Sequence, residues 1–114
     1  MGVMTGLGCH NRAMDLADAA LRLRRRGLPA RHLFREAMLL EKRVAALEDG
    51  RLLPKAVLWR SAACLALDCQ DYLEATNLAR AGLVLNPCGD EMDELGRVLR
   101  AAYRGRLLAD EVSL

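Results

Sequence analysis

The chain predicts an all-α fold, and three observations carry that expectation. β-Branched residues are scarce, with six Val, two Thr and no Ile among 114 residues, although these are the residues that pleated sheets favour. No segment alternates polar and apolar positions, whereas apolar residues recur at three- and four-residue steps in five stretches. Hydrophobic residues make up 53% of the chain but aromatics only 4%, so the interior must be built from Leu, Ala, Val and Met. Such side chains suit closely packed helices, and 114 residues suit one domain.

Punctuation places each helix. Asn11 can cap a first helix over about 12–26, with Ala13, Leu16, Ala17, Ala20 and Leu21 as its apolar stripe. Gly27 and Pro29 end it and open a second over about 30–48, with Leu33, Ala37, Leu40, Val44 and Leu47 inward. After a linker at Gly50 to Leu53, Pro54 opens a third helix that reaches about Cys69, with Ala56, Trp59, Ala63 and Ala66 or Leu67 inward. Asp71 and Glu74 form an acidic capping box for a fourth helix carrying Ala75, Leu78, Ala79, Gly82 and Leu83, which Asn86-Pro87 stops. The fifth, about 90–106, begins with Asp90, Glu91, Asp93 and Glu94 and ends with Arg97, Arg100, Arg104 and Arg106, an order that matches the helix macrodipole. Met92, Leu95, Leu99 and Ala102 give this helix an inner face. The expected organisation is two antiparallel hairpins and a capping helix over 11–108, with tails at 1–10 and 109–114.

Charge is unevenly spread. Residues 1–57 carry eleven basic and six acidic side chains, residues 58–114 six and nine. The first half is thus +5 and the second −3. With a pI of about 8.5, this pattern argues against nucleic acid as the partner, which calls for basic charge gathered on one face. Two of the 17 basic residues are Lys (Lys42, Lys55), leaving 15 Arg, a bias that points first to a GC-rich, bacterial genome and second to bidentate anion recognition. The four cysteines show no paired metal-ligand spacing, so no metal or other cofactor is expected, and a reduced, cytoplasmic compartment follows. There is neither a signal-peptide pattern nor an apolar run of about 20 residues, so no membrane association is expected.

Residues 56–87 carry Trp59 early in one helix, Ala63, Ala75 and Gly82 where two helices would touch, Tyr72 in the turn and Pro87 after the second helix. This set resembles a tetratricopeptide repeat, in which small residues let the helices approach and a large ring fills the gap beside them. Ala30, Phe34 and Ala37 resemble the second helix of an earlier, stretched copy, 45 residues before Ala75. The resemblance implies that the first helices of the hairpins line a groove for a peptide or partner helix. By that resemblance Arg12, Asp15, Arg22, Val57, Arg60 and Cys64 are the candidate partner-binding residues. Arg12 and Arg60 could clamp a carboxylate; equally, Arg60 could pair with a nearby acid and Cys64 could belong to the core.

No set of residues carries an enzymatic pattern. The only serines are Ser61 and Ser113, no Gly-rich phosphate loop is present, and the acidic pairs fall at helix boundaries, where capping accounts for them. The basic run Arg22, Arg24, Arg25, Arg26, continued by Arg31 and Arg35, reads first as a solvated helix end. Arg26 and His32 resemble the Arg-spacer-His order of HEPN-class ribonucleases, with Gly27 and Pro29 in the spacer; a polar surface histidine is the simpler reading of His32 and of His10. The chain is therefore expected to be a non-enzymatic interaction module that binds a protein, a peptide or a second copy of itself. Two hairpins fall short of the three repeats that usually stand alone, so an apolar end must be covered by the fifth helix or by another subunit. The alternative is an RNA-directed helical protein or ribonuclease built on the basic end of the first helix.

Overall fold

The computed structural model describes residues 5–47, 51 and 53–113, with backbone alone for 111–113. It is all-α, as the sequence predicts. Five helices follow in order: α1 Gly6–Arg25, α2 Arg31–Leu47, α3 Lys55–Asp68, α4 Tyr72–Val84 and α5 Gly89–Ser113. Much of the expected Gly50 to Leu53 linker lies outside the described residues. The molecule measures 47 × 34 × 21 Å. Its thin dimension is about two helix diameters; α3, at the centre, has no fully exposed residue.

Two ends differ from the sequence expectation. α1 begins at Gly6 rather than near residue 12, because Thr5 is its cap: the Gly8 amide donates to Thr5 Oγ1 at 3.0 Å. The extra turn is held by packing, since Cys9 is buried in a cluster with Val44, Ala45 and Leu58. Residues 6–10, expected as tail, are therefore helical. α5 likewise runs on through the expected tail to Ser113.

The turns follow from backbone chemistry. α1 closes with Gly27 at φ +73, its amide donating to Arg24 O and that of Leu28 to Leu23 O. This is the Schellman arrangement, which favours glycine at the left-handed position. α3 closes in the same way with Gln70 at φ +61. Asp71 then caps α4, accepting the Glu74 amide at 3.2 Å, and also pairs with Arg35. Replacing Asp71 with Ala is expected to cost about 1 kcal/mol, chiefly through the lost cap, as a lower thermal midpoint by circular dichroism.

Packing is serial: α2 lies on α1, α3 on α2, α4 on α3, and α5 covers both α3 and α4. One core joins Ala13, Leu16 and Ala20 of α1 to Phe34, Ala37 and Met38 of α2, Ala62, Ala63 and Ala66 of α3, Ala75, Leu78 and Ala79 of α4, and Leu95, Val98 and Ala102 of α5. The small residues act as expected. A Cβ on Gly82 would lie 3.0 Å from both Leu95 methyls and 3.2 Å from Trp59 Cβ, so α3, α4 and α5 converge where only hydrogen fits. The stripe read for α2 is rotated by one position: Leu47 is 77% exposed, while Phe34, Met38 and Ala45 are buried. Met92, read as inward, is 42% exposed.

The uneven charge joins the two hairpins. Arg24 of α1 pairs with Asp68 of α3 at 3.0 Å, Arg35 of α2 with Asp71 at 3.4 Å, and Lys42 of α2 with Glu74 of α4 at 2.6 Å. Each joins a cation from the positive half to an acid from the negative half. The pairs are part-exposed and worth about 0.2–1 kcal/mol apiece, so they set alignment more than stability. Arg24 also stacks over Phe34, 4.8 Å from the ring centre.

Candidate functional site

The residues singled out for binding fall on α1 and α3. Arg12, Asp15 and Arg22 are exposed on α1, while Val57, Arg60 and Cys64 are half-buried on α3. Arg22 belongs to a shallow concavity with Ala19, Leu23, Arg25 and Arg26 at the end of α1. Arg60 has a partner of its own: its Nε lies 3.0 Å from Glu91 Oε2 on α5. Both atoms are buried but out of line for a hydrogen bond, so their contact is one of charge. Of the two open readings of Arg60, pairing with an acid is the one seen. That does not remove it from the surface, because a third of its side chain remains exposed.

Cys64 sits in the field of the same groups. Burial pushes its thiol up from the ordinary 9.0; Arg60 pulls it back, and Asp68, Glu94 and Glu91 add to the rise. Burial also raises Cys69, beside Asp71. The seam between α3 and α5 is thus a partly dry strip with Arg60 at its centre and carboxylates around it. A thiol raised in the folded state contributes stability that is whole below the unfolded value and is lost as pH climbs through the folded one. Stability is expected to fall as pH passes 9.0, by less once Cys64 and Cys69 are both changed to Ala. Denaturant melts from pH 7 to 10.5 would measure this.

Sequence reasoning missed one cluster entirely. Glu41 on α2 is fully buried, the only buried charged side chain among the described residues. His10 Nδ1 of α1 lies 2.9 and 3.0 Å from its two carboxylate oxygens, and Ser61 Oγ of α3 donates to Oε2 at 2.7 Å. Three helices meet at this carboxylate. His10 is therefore not the surface histidine expected, since its side chain is only 18% exposed. Position 41 continues the 34, 37/38, 41, 44/45 rhythm of the buried face of α2, and a carboxylate in that rhythm was the available signal.

The cluster holds the residue types of a hydrolase triad in a different order. A nucleophile needs the imidazole between hydroxyl and carboxylate, so that the base can take the hydroxyl proton. Here the carboxylate stands between, and Ser61 donates to Glu41 rather than to His10. The arrangement gives the buried carboxylate its hydrogen-bond partners and ties α1, α2 and α3 together.

Arg26 is the C-cap residue of α1, and His32 stands in the first turn of α2 beyond Gly27. The one-helix Arg-His arrangement of the ribonuclease alternative is not formed. No group of three or more His, Cys, Asp or Glu able to hold a metal ion occurs among the described residues. Among them, too, no helix is long and apolar enough to cross a membrane. Comparison with protein families, curated proteins and solved structures finds no match to this chain.

Proposed function

We propose that the protein is a non-enzymatic interaction module of tetratricopeptide-like build, whose surface receives a protein partner: a peptide, a helix or a second copy. The observation that carries this reading is the open-ended stack. α3 is covered on several sides, whereas α1 packs chiefly on α2 and α5 on α3 and α4. The free face of α5 shows Tyr103 at 64% exposure and Leu107 at 46%. A terminal helix meant only as a cap keeps a polar outer face, and large exposed apolar groups rimmed by charge mark a docking surface. The close approach at Gly82 and the place of Trp59 beside it support the tetratricopeptide resemblance.

Within this reading the outward sides of α1 and α3, with Arg12, Asp15, Arg22, Val57, Arg60 and Cys64, offer an extended segment a charged lane. Arg60 is poised to exchange Glu91 for a carboxylate of the partner, since its present contact lacks hydrogen-bond alignment. Arg60→Glu is expected to reduce retention of the native partner at least tenfold with helicity unchanged by circular dichroism. Undiminished retention would count against this groove.

A further inference from the structure

We infer that the outer face of α5 is a self-complementary docking surface that takes α5 of a second copy in antiparallel, two-fold pairing about Gly96. The inference rests on the interaction-module reading and names the partner. Leu95, Val98 and Ala102 bury one side of α5 against α3 and α4. Met92, Gly96, Leu99 and Tyr103, at steps of four, three and four, run along another side. Met92 is 42% and Tyr103 64% exposed. A Cβ on Gly96 would meet nothing closer than an Arg100 guanidinium nitrogen at 3.5 Å. Packing within the chain therefore gives no reason for glycine at 96, whereas a helix crossing at that point does, because only hydrogen lets two backbones approach closely.

Charge decides between a second copy and an unlike partner. Along one edge of the stripe the sign reverses about Gly96: Asp90 and Asp93 come before it, Arg100 and Arg104 after. None of the four has an ion-pair partner among the described residues. A wholly basic or wholly acidic edge would ask for an opposite partner. A reversing edge is complementary to itself turned end for end, and a two-fold axis sets each edge against the same edge of the other copy. Asp93, three residues before Gly96, then meets Arg100 of the second copy, four residues after, and Asp90 meets Arg104. Met92 falls between Leu99 and Tyr103 of the second copy. Four ion pairs and a continuous apolar seam form from one helix and its copy.

The test is the mass of the full chain in solution, by light scattering and sedimentation across about 1–300 μM at low and moderate salt. Wild type is expected to move with concentration from the 12.6 kDa of one chain towards twice that value. Gly96→Gln, which has room to fold, is expected to stay at one chain where wild type is paired. Asp93→Arg and Arg100→Asp should each stay single, and the two changes together should restore pairing. A wild type that remains single throughout would overturn the inference, and so would pairing indifferent to Gly96→Gln and Asp93→Arg. A single-chain wild type that still held a partner sensitive to Arg60→Glu would overturn the α5 pairing alone and leave the interaction-module reading in place.

Discussion

Replacing His10 by Ala is expected to destabilise the protein by about 3 kcal/mol, although the residue belongs to the 6–10 stretch of α1 that reads as tail in the sequence. Glu41 is fully buried, and among the described residues its oxygens have only His10 and Ser61 as partners. Removing His10 leaves one oxygen with no partner and the other with Ser61 alone. Breaking a buried pair from one side leaves an uncompensated charge, the costly case; replacing both members with apolar side chains of similar volume is close to neutral. The prediction therefore has a second arm. His10→Leu combined with Glu41→Met should be more stable than His10→Ala, because no charge is then stranded. Urea melts of wild type, His10→Ala and the double variant would measure both arms. A His10→Ala variant as stable as wild type would show that water, not the histidine, satisfies the carboxylate.

Gly82→Val is the second large effect, expected at about 3 kcal/mol. The first added carbon would lie 3.0 Å from both methyls of Leu95 and 3.2 Å from Trp59 Cβ, and Leu95 is itself wholly buried with nowhere to retreat. Overpacking of a filled site costs about 1–3 kcal/mol, and a β-branched residue adds crowding against the preceding helical turn. The coupling tests the geometry more sharply than the size. Leu95→Ala should cost clearly less in the Gly82→Val background than in wild type, because the smaller side chain makes room for the methyls. Additive costs from a double-mutant cycle would mean that the two positions do not touch.

How much of this could be read beforehand depends on the reach of each interaction. The helices, the Asp71 cap, the turn at Gly27 and the close packing around Ala63, Ala75 and Gly82 were legible, because a few neighbouring residues state each of them. The start of α1 was not. Gly6 and Gly8 look like breakers locally, and only the burial of Cys9 against Val44 and Leu58 makes the extra turn worthwhile. Glu41 was hidden for the same reason, since its partners come from 31 and 20 residues away. The charge asymmetry was visible as a number, but its meaning as cross-hairpin pairing needed the fold. Arg60 was half-legible: its cation stood out, whereas Glu91 becomes its neighbour only because α5 crosses α3.

The proposed function of this stack of helices is to hold a protein. The most direct measurement is native capture with the full chain from its host, with protein and RNA read from the same eluate for wild type and Arg60→Glu. Protein species are expected to be retained by wild type and lost from the variant, with RNA at background in both. RNA enriched equally by both, with no protein lost on charge reversal, would contradict it.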